Sequence, residues 1–225
     1  MSINKKGYFL HRNSIRGNRN DRNLLGDREV RTLLSMLDAE HIPDFLAGKS
    51  VVDLGCGDQY IGEAIQERGA SYQGIDIDEC NLETEIFPIA DHSKDIAICL
   101  ALLEHLNDPG LFLAEIKRCV KPGGVLWLST PDIEACREKF WNDPTHVHPY
   151  TRSSLRMLLE MNAFEDVLVT PNYRCKPKSY YVDSTFNFFR ARHLIPFAGT
   201  GRLSIPEFLR GHCTGLFALA RTQSD

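Results

Sequence analysis

At 225 residues and 43% hydrophobic content, the chain suits one medium domain with an appended segment. A formal net charge of −4 and a pI near 6.1 argue against a general nucleic-acid binder, which is normally basic, so no nucleic acid is expected as a partner. Seven scattered cysteines without a C-x-x-C pair suit reduced thiols, and with neither a signal-type apolar region nor a membrane-spanning apolar run in view a cytoplasmic protein is expected.

Residues 1–26 are polar and basic, with Lys5, Lys6, Arg12, Arg16, Arg19 and Arg22, and are expected as an N-terminal head or flap. Termini of this kind are often mobile; as a flap, the stretch would carry an arginine to a phosphate or carboxylate of the substrate. Asp27 stands where it would cap a helix whose apolar residues Val30, Leu33, Leu34 and Leu37 share one face, and Pro43 and Gly48 bracket its end. Val51 and Val52 then read as a buried parallel strand. Gly55 and Gly57 let the backbone turn sharply and approach a ligand with no Cβ between. Ile61, Ala64 and Ile65 recur at helical spacing, so a helix is expected from near Tyr60. Strand, glycine turn and helix together bind a nucleotide-like ligand at the carboxyl end of a parallel sheet. Asp53, at the strand end, puts a carboxylate where an ammonium group would sit. The next strand, Tyr72-Gln73-Gly74-Ile75, ends in Asp76. That is 23 positions after Asp53, near the roughly 20-residue offset at which an acidic residue meets ribose hydroxyls. The plain alternative is an ordinary strand, turn and helix with a capping aspartate.

Between Asp76 and Asp95 the chain is short, offering only residues 79–88 where another helix and strand would need more. Asp95 to Leu100 is the next strand. Asp108-Pro109 signals a helix start, the apolar set Leu111, Phe112, Ile116 and Val120 continues it, and Lys121-Pro122-Gly123-Gly124 stops it before a strand at 125–128. Residues 140–150 form a polar and aromatic loop. Thr151 caps a further helix with Leu155, Leu158 and Leu159 inward, and 164–169 is a strand. A connection at 171–212, rich in Tyr, Phe and Arg, is longer than a plain hairpin loop. A last strand at 216–220 follows. No internal repeat or second domain boundary shows, so 27–225 reads as one domain carrying that insertion.

Three ordered stretches, VVDLGCGDQYIGEAI, YQGIDID and DIAICLALLEHLNDPGLFLAEIKRCVKPGGVLWLSTP, resemble the successive motifs of class I S-adenosylmethionine-dependent methyltransferases. A dinucleotide dehydrogenase would show G-x-G-x-x-G, whereas Tyr60 stands at the third glycine. The resemblance implies an α/β fold with a doubly wound, mostly parallel sheet, its third strand short or absent and its last strand antiparallel. It implies S-adenosyl-L-methionine as cofactor, bound by Asp53, Gly55, Cys56, Gly57, Asp76, Ile77, Asn81, Leu82 and Leu100. Asn81-Leu82-Glu83 looks like the D-L-E-type turn that holds the adenine amino group, with Asn in place of Asp; an amide oxygen still accepts that hydrogen bond.

Methyl transfer asks for alignment and exclusion of water, and a hydroxyl acceptor also asks for a general base. His105, after the strand 95–100, and His146 and His148, in the loop after the strand 125–128, are the catalytic candidates. Glu104-His105 is similar to the metal-binding E-x-x-E-H of some quinone O-methyltransferases, but Ala101 occupies the first acidic position, so no metal is expected. The short segment after Asp76, the THVHPYT loop and the aromatic-basic insertion look similar to bacterial methyltransferases of surface-glycan synthesis. O-methylation of a sugar hydroxyl is therefore the expected reaction. The alternatives are O- or C-methylation of a quinone or other aromatic small molecule, and a non-catalytic cofactor-binding relative. The partner is expected to be a small-molecule or glycan acceptor; a peripheral membrane contact through 178–210 and the oligomeric state are left open.

Overall fold

The computed structural model describes residues 7–8, 19–172 and 214–224. Helix α1 (Arg19–Met36) leads into β1 (Ser50–Leu54), α2 (Gly62–Gln66), β2 (Ser71–Ile75) and β3 (Lys94–Leu100). A 3-10 turn (Leu103–His105), α3 (Pro109–Cys119), β4 (Val120–Pro131) and α4 (Ile133–Cys136) follow. A second 3-10 turn (Arg137–Asn142), α5 (Arg152–Met161), β5 (Phe164–Pro171) and β6 (Gly215–Thr222) complete the order. The six strands form one sheet in the order β2-β1-β3-β4-β6-β5. The first four are parallel, and β6 runs antiparallel to both its neighbours.

Alternation along the strands builds a core on each face. Val52, Leu54, Ala97, Cys99, Leu126 and Leu128 point to one face, where Phe112, Leu113, Ile116, Leu155 and Leu159 of α3 and α5 cover them. Val51, Ile96, Ile98, Val125 and Trp127 point to the other, under Val30, Leu33, Ile61 and Ile65 of α1 and α2. A sheet covered on both faces needs apolar strands throughout, which is why these strands read as continuous apolar runs.

Among the described residues no strand lies between β2 and β3, as the shortness of that segment implied. A side chain replaces the missing ladder. Arg118 of α3 donates to the carbonyls of Phe87 (3.1 Å) and Ile89 (2.8 Å) and to Asp91 (2.6 Å), while Glu115 accepts the Phe87 N–H at 3.0 Å. Phe87 and Ile89 are buried in the core.

Two boundaries differ from the sequence reading. Asp27 caps nothing, because α1 starts upstream at Arg19; its carboxylate instead pairs with Arg31 one turn on (2.8 Å) and with Arg68. The helix before β4 ends at Cys119, and strand pairing already begins at Val120 opposite Lys94, so Lys121-Pro122-Gly123-Gly124 lies inside an irregular strand. Of the 171–212 insertion, Pro171 pairs with Leu216 and the Asn172 N–H donates to Gly215 at 2.8 Å. The remainder lies outside the described residues, as does most of the 1–26 head.

Candidate functional site

β1, β3 and β4 end side by side, and the candidate residues follow those ends. Asp53, the penultimate residue of β1, is 3% exposed and accepts a hydrogen bond from the Tyr72 hydroxyl at 2.8 Å. Burial, reinforced by the nearby Asp76 charge, pushes its carboxyl up to about 7, with the Tyr72 hydrogen bond pulling the other way. Gly55 and Gly57 have φ of 75° and 56°. A Cβ on Gly55 would stand 3.1 Å from Leu102, so the turn stays thin only as glycine. The N–H groups of this turn are already engaged: Gly55 and Cys56 donate to Ile75 O, and Gly57 donates to Asp76 Oδ2 at 2.5 Å. Asp76 Oδ1 accepts the Ile77 N–H at 2.6 Å, so both oxygens of the Asp76 carboxylate are held by backbone N–H groups; each keeps capacity for a further donor.

The adenine-side residues are less regular. Asn81 Oδ1 accepts the Glu83 N–H at 3.1 Å, a local turn, and Leu82 is buried in the core. Leu100 is half-buried at the end of β3. The Cys56 thiol, against Gly74, is pushed up to about 12 by burial and then by the charges of Asp53 and Asp76; it is an inert neutral group.

His105 and His146 come together, with ring centroids 4.8 Å apart. His146 Nδ1 lies 2.7 Å from the carbonyl of Phe140, which only accepts, so Nδ1 carries the proton. Thr145 Oγ1 donates to Asp143 Oδ1 (2.5 Å), so His105 Nδ1, 2.9 Å from Oγ1 and 3.2 Å from Thr145 O, is a donor too. Both rings therefore present Nε2 as an acceptor. His105 Nε2 lies 4.0 Å from Glu104 Oε1 and His146 Nε2 lies 3.9 Å from Asp143 Oδ2. Glu104 is buried, and its Oε2 accepts from Thr130 of β4 at 3.0 Å. Tyr8, from the N-terminal stretch, donates to Asp143 Oδ2 at 2.8 Å. His148 is not part of this group; its ring packs edge-on to Tyr150, 6.3 Å away.

Donor atoms of Glu104, His105 and His146 lie within 4.8 Å of one another, a group that could close on a divalent cation. Donors of a tetrahedral zinc stand only about 3.4 Å apart at ordinary bond lengths. As placed, the atoms stand too far apart to hydrogen-bond one another directly, His105 Nε2 being 4.0 Å from Glu104 Oε1. The Cys99 thiol, buried in β3, is pushed up by burial first, then by the charges of Glu104 and Asp53.

The sequence reading did not single out Tyr72, Thr130 or Thr145. Tyr72 had a signal in the strand alternation, facing the side of Asp53. Thr130 and Thr145 had none, because their partners lie 26 and 40 positions away.

A parallel sheet with an antiparallel strand inserted next to β4, a glycine turn after β1 and an acidic residue after β2 fit the fold of S-adenosylmethionine-dependent methyltransferases. Comparison with known proteins agrees. The model of a methyltransferase domain matches residues 26–169, and the chain belongs to that family. The ubiquinone biosynthesis O-methyltransferase of Idiomarina loihiensis is 34% identical over 163 residues, covering 58% of this chain and 67% of that protein. That of Pseudomonas paraeruginosa is 37% identical over 105 residues, 38% of this chain and 45% of the relative, so the chain spans just under half of that relative's length. Among solved structures, a methyltransferase from Archaeoglobus fulgidus superposes with a TM-score of 0.60 at 20% identity, covering 96% of this chain and 99% of that one. One from Mesorhizobium loti gives 0.57 at 18%, covering 86% and 97%. At these identities the likeness is one of fold.

The residues present fit the cofactor. Asp53 is a buried carboxylate of the right sign for its ammonium group, Gly55 leaves a surface that any Cβ would fill, and Asp76 is a carboxylate fixed by two backbone N–H groups and of a type that accepts from hydroxyls.

Proposed function

We propose that the chain O-methylates a small-molecule hydroxyl, with a phenolic group as the acceptor and His146 as the base. The observation that carries this reading is the pair of imidazoles locked in the Nδ1–H form, both presenting Nε2 beside Glu104 at the rim of the parallel strands. Such a group takes a proton from a hydroxyl. His146 is the better placed of the two, its side chain 11% exposed against 3% for His105. The printed name of the relatives favours a quinone-type ring over other hydroxyls.

S-adenosylmethionine, when bound, supplies a methyl group already activated by the sulfonium charge. Asp53 holds the ammonium end and Asp76 the ribose hydroxyls. The acceptor's proton passes to His146 Nε2 as its oxygen becomes nucleophilic. The carbonyl of Phe140, on Nδ1–H, steadies the imidazolium so formed, and Glu104 lends negative charge nearby. Thr145, tied to Asp143, keeps the His105 ring in place behind it.

A second reading, O-methylation of a sugar hydroxyl, is favoured by the THVHPYT loop and by the aromatic-basic stretch 171–212, whose flanks Pro171 and Gly215 lie at the rim end of β5 and β6. Incubation with phenols, catechols and sugar nucleotides, scored by methyl mass gain and S-adenosylhomocysteine release, separates the readings. Mass gain on phenolic compounds alone supports the first and on sugar nucleotides alone the second. The cofactor bound with no turnover against any acceptor points to a non-catalytic relative. His146→Ala should lower turnover about 10²–10⁴-fold with little change in cofactor affinity, and His148→Ala should leave turnover near normal. Near-normal turnover in His146→Ala and in His105→Ala would leave alignment without a histidine base. A loss of activity in chelator restored by a divalent ion would move Glu104, His105 and His146 from base to ligand roles.

A further inference from the structure

We propose that Tyr72 is a positioning residue for the cofactor: its hydroxyl orients Asp53 and favours the ionised form of that carboxylate for the cofactor's α-ammonium group. The proposal rests on the reading of Asp53 as the partner of that ammonium.

The geometry is built for this contact. Tyr72 stands in β2 in register with Val51, and its side chain reaches along β1 to meet Asp53 Oδ2 at 2.8 Å. Two glycines make room for it. A Cβ on Gly62, at the start of α2, would stand 2.7 Å from the Tyr72 ring. One on Gly74 would stand 3.2 Å from the Tyr72 hydroxyl and 2.8 Å from Cys56 Sγ. The 2.7 and 2.8 Å approaches are closer than real Cβ atoms stand and the 3.2 Å one is tight, so the ring occupies a socket that the two glycines leave open.

The chemistry says why Asp53 needs this donor. Among the described residues, the titratable groups facing it are Tyr72 from β2, Asp76 from the turn after β2, Cys56 from the glycine turn and Cys99 from β3. None is a cation, and Asp76 carries the same sign. A carboxylate that is 3% exposed and beside a like charge takes up a proton unless something stabilises its charged form. In the cofactor-free protein the Tyr72 hydroxyl offsets part of this, leaving the carboxyl at about 7; in the complex the ammonium joins it. The tyrosine is itself held neutral, since burial first and then the Asp53 charge push its own hydroxyl well above the ordinary range. It therefore acts as a donor at every working pH.

The test compares binding of S-adenosylmethionine with that of 5′-methylthioadenosine, which keeps the nucleoside and lacks the amino-acid part. Calorimetric affinities from pH 5.5 to 7.5 would be measured for the wild type, Tyr72→Phe, Asp53→Asn and the double variant. The expected result is that Tyr72→Phe binds S-adenosylmethionine about 5–10-fold more weakly at neutral pH, the size of one lost hydrogen bond. The pH at which its affinity rises is also displaced upward, and 5′-methylthioadenosine binds as in the wild type. In the Asp53→Asn background the tyrosine change should alter nothing further. A Tyr72→Phe profile that matches the wild type overturns the proposal. So does an equal loss for both ligands, which would mean general damage to the socket. Asp53→Asn that binds S-adenosylmethionine as tightly as the wild type overturns the underlying reading of Asp53 instead.

Discussion

Asp53 lies where burial and a like charge favour its neutral form, while the ligand it faces favours the ionised one. Its carboxyl sits at about 7 in the folded protein against 3.8 in an open chain, so the folded state holds a proton that the unfolded state has released. Stability from this group therefore falls as pH rises from about 4 through 7. Asp53→Asn keeps the shape and an acceptor for Tyr72 but has no charge to bury. The cofactor-free variant should melt above the wild type at pH 8, by roughly 2–4 °C per kcal/mol recovered, and the gap should close at pH 4. Its affinity for S-adenosylmethionine should fall at the same time. Differential scanning fluorimetry at the two pH values checks the first part; a variant that melts no higher at pH 8 would show that the carboxylate is solvated by other means. Binding is thus favoured here at the expense of the fold, as at other functional sites.

At the scale of elements, the segment between β2 and β3 has no ladder of its own and hangs on one helix. Arg118 bonds two of its carbonyls and Asp91, and holds Glu115 in turn through Nε at 3.0 Å and Nη2 at 2.7 Å. The Arg118 hydrogen bonds hold the Glu115 carboxyl below its ordinary value, against the burial that would raise it. The contribution is complete above the open-chain value of 4.5 and is lost as pH falls through the lower folded value. Arg118→Ala should cost about 1–3 kcal/mol, since Glu115 and two carbonyls lose their partner. The loss should show in urea melts at pH 7 and shrink in strongly acidic buffer. A variant of unchanged midpoint would mean that Phe87 and Ile89 hold the segment by packing alone. The same segment carries Asn81 and Leu82, the residues proposed for the adenine side of the cofactor.

For the molecule as a whole, the antiparallel pair β5–β6 brings both ends of the 173–213 segment to the rim where Asp53, Glu104 and His146 gather. Pro171 pairs with Leu216, and the carbonyl of Thr214 accepts the Asp132 N–H at 2.9 Å, directly after β4. Ends so close are bridged by a short turn at little entropic penalty. Replacing 173–213 by a short glycine-containing turn should leave the melting temperature and S-adenosylmethionine affinity near normal. Acceptor turnover should fall at least about tenfold if the segment covers the site, as lids that exclude water do. Full activity in that variant would remove the lid reading. Failure to fold would mark the segment as part of the core. Among the described residues no helix is long and apolar enough to cross a membrane.

The strand–turn–helix around Gly55, the acidic residue after β2 and the shortened segment before β3 were all legible in the sequence. Each depends on local rules: backbone conformations only glycine adopts readily, alternation with period two, and the count of residues a strand needs. The proposed cofactor half of the site rests on them, because its residues from Asp53 to Leu82 lie within about 30 consecutive residues of one β-turn-α-β unit. The histidine half does not. His105 and His146 lie on different loops, and nothing local says that Thr145 would orient one ring, that the Phe140 carbonyl would set the tautomer of the other, or that His148 would turn away to Tyr150. The His105 contact joins groups 40 positions apart, and the two rings meet only once β3 and β4 are paired with their carboxyl ends together; the Phe140 and Tyr150 contacts are short-range but lie in an irregular loop whose path no periodic pattern sets.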